Sequence, residues 1–127
     1  MQLDIIVVSY NAGVALRECL SSVAQEIERS DTGLHIQLTV IDNNSSDPVV
    51  EQCRLEFGQC RWIQFNRNQG FSAAVNAGAA AGCGEFLFLL NPDCRVPAGF
   101  FQDALKYFQT NHEAAVMGFR QLDANNE

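Results

Sequence analysis

A chain of 127 residues with Lys+Arg 8 against Asp+Glu 15 carries a formal net charge of −7, and 47% of its residues are hydrophobic. The length suits one compact domain over residues 1–127, and the apolar content suits a globular core. The acidic balance argues against a nucleic-acid partner, which needs clustered positive charge. No apolar run approaches the roughly 20 residues that cross a bilayer. A phosphate ligand stays open, provided a metal ion, backbone N–H groups or an arginine neutralises it locally.

The N-terminus offers no basic region and no cleavage-like site, so cytoplasmic residence, including the cytoplasmic face of a membrane, is the expectation. Cys19, Cys53, Cys60, Cys83 and Cys94 are odd in number and form no C-x-x-C pair. They read as small buried thiols rather than a zinc site or a disulfide framework.

In chain order, Leu3 to Val8 is a short β-branched run ended by Ser9-Tyr10-Asn11, a buried strand. Leu16, Leu20, Val23 and Ile27 then recur at helical spacing. Ile36, Leu38, Val40 and Ile41 make a second strand, ended by Asp42-Asn43-Asn44. Ser45-Ser46-Asp47-Pro48 has the form of a helix start, a capping side chain before a proline, and the helix after it would bury Val49, Val50, Cys53 and Phe57. Trp62 to Phe65 is a third strand, ended by Asn66-Arg67-Asn68.

After Gly70-Phe71-Ser72, the run from Ala73 to Ala81 is a helix of small side chains, able to approach a sheet or ligand closely. Gly82-Cys83-Gly84 follows as a helix stop. Phe86 to Leu90 is a fourth strand running into Asn91-Pro92-Asp93, and Pro97 opens a helix with Phe100, Phe101, Ala104, Leu105 and Phe108 on one face. Ala114 to Phe119 is expected as a fifth strand, with a polar tail from Gln121 to Glu127. Alternating strands and helices imply an α/β fold with a mainly parallel sheet and right-handed crossovers.

Each strand ends in a polar cluster, and in a parallel sheet those ends share one edge, where open α/β sheets bind ligands at the point of strand-order reversal. With strand order 3-2-1-4, Tyr10 and Asp93 would face one crevice, with Asp42 one strand further out and Arg67 beyond it. An aromatic, two carboxylates and an arginine suit a nucleotide. Tyr10 could pack on a base or simply on the core. Asp42 could accept from a base N–H or merely hold a turn. Arg67 could approach base or phosphate, or stand idle. Asp93 is the candidate ligand for Mg²⁺ or Mn²⁺, which take one or two carboxylates plus substrate phosphates. Pro92 stiffens the backbone before it. His35 and His112 lie apart from these clusters, and no P-loop, G-x-G-x-x-G or Ser/His/Asp arrangement is present.

The ordered motifs DIIVVSYN, VIDNNSSD and NRNQGFSAAVNAGAAAGCGEFLFLLNPDCRV resemble family 2 glycosyltransferases of the GT-A fold, the rhamnosyltransferase-type members most of all. That resemblance implies a Rossmann-like open three-layer sandwich that transfers a sugar from a nucleotide diphosphate donor to an acceptor hydroxyl of a glycan or lipid-linked acceptor. It assigns Ser9, Tyr10 and Asn11 to the nucleotide pocket, Asp42 to the base, and Arg67, Asn68, Gly70, Phe71 and Asn76 to the segment flanking the donor. Asn91-Pro92-Asp93 stands in the place of the family's Asp-x-Asp metal motif, with Asp93 at its final carboxylate. Asn91 in the first position removes one ligand charge and leans toward a deoxythymidine-diphosphate donor such as dTDP-rhamnose.

The resemblance further implies that these residues are the donor-binding half of a longer enzyme, the general base lying in a later half. Alone, such a half would bind nucleotide weakly and turn over little. The competing expectations are a nucleotidyltransferase, which would want a glycine- and basic-rich loop where only Gly13 stands, and a non-catalytic module that binds a nucleotide, a glycan or a partner protein.

Overall fold

The computed structural model describes residues 1–31 and 33–127. Four strands, β1 (Gln2–Ser9), β2 (His35–Asp42), β3 (Arg61–Gln64) and β4 (Phe86–Leu90), form one parallel sheet in the order β3-β2-β1-β4. The helices are α1 (Val14–Arg29), α2 (Val49–Glu56), α3 (Phe71–Ala81) and α4 (Phe100–Thr110). The strand order is the one expected from the alternating pattern.

The period of two along each strand sorts the side chains into two faces. Leu3, Ile5 and Val7 of β1 join Leu38 and Val40 of β2 in one cluster with Leu16, Leu20 and Val23 of α1, Val50 and Cys53 of α2, and Phe101 of α4. Ile6 and Ile41 point the other way and meet Ala74 of α3. The chain steps outward from β1 through β2 to β3 and then returns to the far side of β1. Right-handed crossovers therefore put α1 and α2 on one face and α3 on the other.

The small side chains of α3 have a measurable cause. A Cβ on Gly78 would stand 2.8 Å from Ile41 Cδ1 and 3.0 Å from Ile6 Cδ1, so glycine lets the helix lie directly on the sheet. Because α3 covers β1 and β2, Leu87 and Leu89 on the same face of β4 stay 49% and 48% exposed.

Two expectations are refined. Pro48 has helical angles, φ −71° and ψ −14°, and the Asp47 carboxylate before it accepts the Val49 N–H at 2.7 Å, so the anticipated cap is present. The fifth strand is absent: residues 114–119 have no regular structure. Ala114 and Ala115 bring little apolar surface, Val116 is 89% exposed, Ala114 and Met117 are half-buried, and Phe119 packs on aromatic rings of β4 and α4. Its ring lies 4.6 Å from that of Phe100 and 5.4 Å from that of Phe88.

Candidate functional site

All four strands run parallel, so their C-terminal ends lie on one edge. Val7 pairs with Leu90 across the β1–β4 boundary. Tyr10 lies three residues beyond Val7 and Asp93 three beyond Leu90, so both leave adjacent strands on the same rim, at the reversal of strand order. Tyr10 is 53% exposed and Asp93 is exposed.

Beneath this rim, polar side chains bind the loops to one another. Asn11, at φ 50°, receives the N–H groups of Ser46 at 2.8 Å and Asp47 at 3.3 Å on its side-chain oxygen, and its own N–H donates to Ser45 Oγ at 2.9 Å. The Asp47 carboxylate, besides capping α2, accepts the Gly13 N–H at 2.8 Å. Thus one acid holds the start of two helices.

Asp42 is only 1% exposed, and its carboxylate accepts the Ser45 hydroxyl at 2.5 Å and the Ser45 N–H at 3.3 Å. Burial and these bonds make it a brace under the 43–47 loop. Asn43, 3% exposed, reaches the other way: its Nδ2 donates to Gly70 O at 3.2 Å and its Oδ1 accepts the Gln69 N–H at 2.8 Å. Gly70 has φ 87°, which favours glycine, and Asn68 Oδ1 accepts its N–H at 2.9 Å.

Tyr10, Asn11, Arg67, Asn68, Gly70, Phe71, Asn76, Asn91 and Asp93 are exposed. Phe71 opens α3 with 56% of its surface exposed. The guanidinium of Arg67 enters none of the ion pairs formed among the described residues. Ser9 is buried, and its hydroxyl has no hydrogen-bond partner. A cavity of about 840 Å³ lies between β4, α4 and residues 114–121 and touches the polar rim only at Asn91, Cys94 and Arg95. Polar chemistry and cavity volume therefore do not coincide.

Asn91-Pro92-Asp93-Cys94 closes as a tight turn, with the Cys94 N–H donating to Asn91 O at 3.1 Å. Proline at the second position suits that geometry. The turn and the candidate site are one object, because the turn is what points Asp93 outward. Apart from a weak thiol contact from Cys94 at 3.7 Å, the Asp93 carboxylate is unengaged. Among the described residues no group of three or more His, Cys, Asp or Glu converges. A single open carboxylate beside an amide is too few ligands for a closed zinc site. It does fit a hard cation that completes its shell with water and phosphate oxygens.

Asn43, Ser45 and Asp47 escaped the sequence reading as site-building residues. Their types bond readily to nearby backbone. Asn11 and Gly13, however, are 34 to 36 positions from their partners, and no local pattern reveals that.

Comparison with known proteins agrees with the fold. The S. aureus TarS 1-349 structure in complex with UDP-GlcNAc superposes with a TM-score of 0.74 at 22% identity, over 95% of this chain and 37% of that one. The mannosyltransferase PcManGT from Pyrobaculum calidifontis, in complex with GDP-Man and Mn2+, superposes with a TM-score of 0.70 at 20% identity, over 84% and 32%. At such identities the likeness concerns the fold alone, the open α/β sandwich of GT-A type. By sequence the chain is 28% identical over 120 residues to an uncharacterised glycosyltransferase of Nostoc sp., covering 92% of this chain and 36% of that protein. It is 23% identical over 117 residues to CsbB of Bacillus subtilis, also named as a glycosyltransferase, of which it covers 35%. The chain thus spans about a third of the length of these relatives. The model of glycosyl transferase family 2 matches residues 4–126, and the chain belongs to that family.

Proposed function

We propose that this chain binds the nucleotide diphosphate sugar from which a sugar is transferred to an acceptor hydroxyl. The observation that carries it is the shared rim of Tyr10 and Asp93 at the strand-order reversal. Tyr10 offers a ring face to the base. Asp93, with the Asn91 amide beside it, holds Mg²⁺ or Mn²⁺ against the diphosphate, and Arg67 supplies a positive side chain that enters no ion pair among the described residues. Phe71, Asn68 and Asn76 border the donor from α3 and the loop before it. Ser9 and Asp42 lie buried one layer below, and the exposed Asn11 and Gly70 fix the loop backbone at the rim itself.

Electrostatics supports the assignment. A chain of net charge −7 meets an anionic donor at a point where one carboxylate is open, and a divalent cation between them offsets that repulsion. Stabilising a departing diphosphate needs that cation and oriented donors. Deprotonating the acceptor needs a general base, which belongs outside these residues, so the chain alone turns over little or no donor. Family membership favours sugar transfer over nucleotidyl transfer. Mn²⁺ beside a nucleotide sugar in the Pyrobaculum neighbour is consistent with the proposed cofactor.

For the donor we favour a thymidine diphosphate sugar, rhamnose first, on the strength of Asn91 in the leading position of the motif. The acceptor is a glycan or lipid-linked hydroxyl on the cytoplasmic side. Calorimetric titration with thymidine, uridine and guanosine diphosphates, with and without Mn²⁺, tests this. Metal-enhanced binding of one diphosphate, weakened at least about tenfold in Asp93→Ala, is expected for a lost charge-assisted ligand. Indifference of the wild-type chain to all three would overturn it and leave a non-catalytic module.

A further inference from the structure

The loop from Asn91 to Gly99 is fastened to α1, and the fastening follows one stripe of that helix. Cys19, Ser22 and Glu26 are spaced by three and four, which puts them on a single face. The Cys19 thiol donates to Asn91 O at 3.6 Å, Ser22 Oγ accepts the Val96 N–H at 3.1 Å, and Glu26 Oε2 accepts the Gly99 N–H at 2.7 Å. Arg95 and Glu18 add an exposed ion pair at 3.9 Å. The three residues of the stripe therefore meet the loop at its start, middle and end.

Glu26 is the residue that packing alone does not explain. The face it shares with Leu16, Cys19, Leu20 and Val23 is buried, its own side chain is 5% exposed, and Oε1 has no hydrogen bond, only Arg29 at 3.7 Å. A buried carboxylate without a task is unfavourable. Its task here is the first turn of α4, whose positive N-terminal end favours a negative charge. Ser22 also donates to Cys19 O at 2.8 Å, which fixes its lone pairs toward the loop.

We propose that Cys19, Ser22 and Glu26 are positioning residues that pre-set the Asn91-Pro92-Asp93 turn for its cation, with α1 acting as the rigid strut between the Tyr10 and Asp93 sides of the donor site. Helix α1 begins directly after the Asn11–Gly13 loop, so a single rod carries both halves of the rim. A loop held before the ligand arrives loses less freedom on binding. Two prolines, at 92 and 97, restrict the remaining backbone. The proposal rests on Asp93 being the donor's cation ligand.

The test measures diphosphate affinity with and without Mn²⁺ for the wild-type chain, Asp93→Ala, Ser22→Ala, Ser22→Thr, Glu26→Ala and Glu26→Gln, using the diphosphate that the wild type binds tightest. Ser22→Ala and Glu26→Ala are expected to cut the Mn²⁺-dependent gain roughly fivefold each, the size of one lost hydrogen bond. Affinity without Mn²⁺ should stay within about twofold, and Ser22→Thr and Glu26→Gln, which keep an acceptor, should restore most of the gain. Should Glu26→Ala fail to fold, the Ser22 pair carries the comparison. If the wild type shows no Mn²⁺-dependent binding, or Asp93→Ala keeps all of it, the donor-site assignment itself fails. If Asp93→Ala weakens binding while Ser22→Ala leaves the gain intact, or lowers affinity equally with and without Mn²⁺, the positioning role is overturned.

Discussion

The carboxylate of Asp4, buried at 5% exposure near the start of β1, accepts the backbone N–H of Gly84 at 2.6 Å. The turn between α3 and β4 is built around it: a Cβ on Gly82 would overlap that carboxylate, and one on Gly84 would stand 2.9 Å from Asp4 N. Gly82-Cys83-Gly84 is thus both a helix stop and a seat for a buried acid. Gly82→Ala and Gly84→Ala should each cost about 1–3 kcal/mol, the range for forcing extra volume into a packed site, as read from urea unfolding. Combining Gly82→Ala with Asp4→Ala should lose less than the sum of the singles, because the two changes share one collision.

Asn11 separates backbone freedom from hydrogen bonding. Its φ of 50° suits glycine, while its side-chain oxygen holds the N–H groups of Ser46 and Asp47. Asn11→Gly keeps the angle and loses the acceptor, for an expected cost of about 1–2 kcal/mol. Asn11→Ala should add roughly 1 kcal/mol for the left-handed conformation. Equal unfolding midpoints for wild type and Asn11→Gly would show that the bonds contribute nothing.

The Asn43 side chain joins the end of β2 to Gln69 and Gly70 through two hydrogen bonds. Asn43→Ala removes both bonds, and because Gln69 and Gly70 are exposed the freed groups can turn to water, for a cost of about 1 kcal/mol. Amide exchange at Gln69 and Gly70 should accelerate, while exchange in the center of β1 changes only with global stability. Unchanged exchange at 69 and 70 would remove Asn43 from the account of how Phe71 is placed.

Burial raises the pKa of Cys19 to about 12 and of Cys60 to about 11, from an ordinary 9.0. A folded-state value above the unfolded one means the native state keeps its proton longer. The associated stability is fully present below about pH 9 and is lost as pH rises toward 11 and then 12. Unfolding free energy should therefore be insensitive to these thiols at neutral pH and decline above pH 9. Cys19→Ala and Cys60→Ala should flatten the decline. At pH 7.5 a maleimide should label exposed Cys83 well before buried Cys19 and Cys53.

Much of this molecule is legible in one dimension. Apolar runs of four to six residues ending in Ser, Asn or Asp located all four strands. The 3.6-residue spacing of Leu16, Leu20 and Val23 located α1, and Asp47-Pro48 located the start of α2. These features are local, set by residues close along the chain. The failed fifth strand marks the limit: Ala114 to Phe119 has a strand-like composition, yet whether a strand forms depends on a partner edge and a face to bury. The segment forms no strand pairing and packs irregularly, with the Phe119 ring against that of Phe100.

The candidate site divides the same way. Sequence by itself determined that strand ends would be polar, that a parallel sheet would collect them on one edge, and that Asp93 would stand beyond Pro92. Only the tertiary structure decided which of those polar groups face solvent and which hold the loops. Asp42 and Asn43 are neighbours of similar shape, yet the pleat turns Asp42 under Ser45 and Asn43 toward Gly70. Cys19, Ser22 and Glu26 read as ordinary helix positions until the fold lays a loop more than 70 residues distant across them. Periodicity is a short-range property of the chain, whereas the partner of a buried polar atom is chosen by packing between segments far apart in sequence.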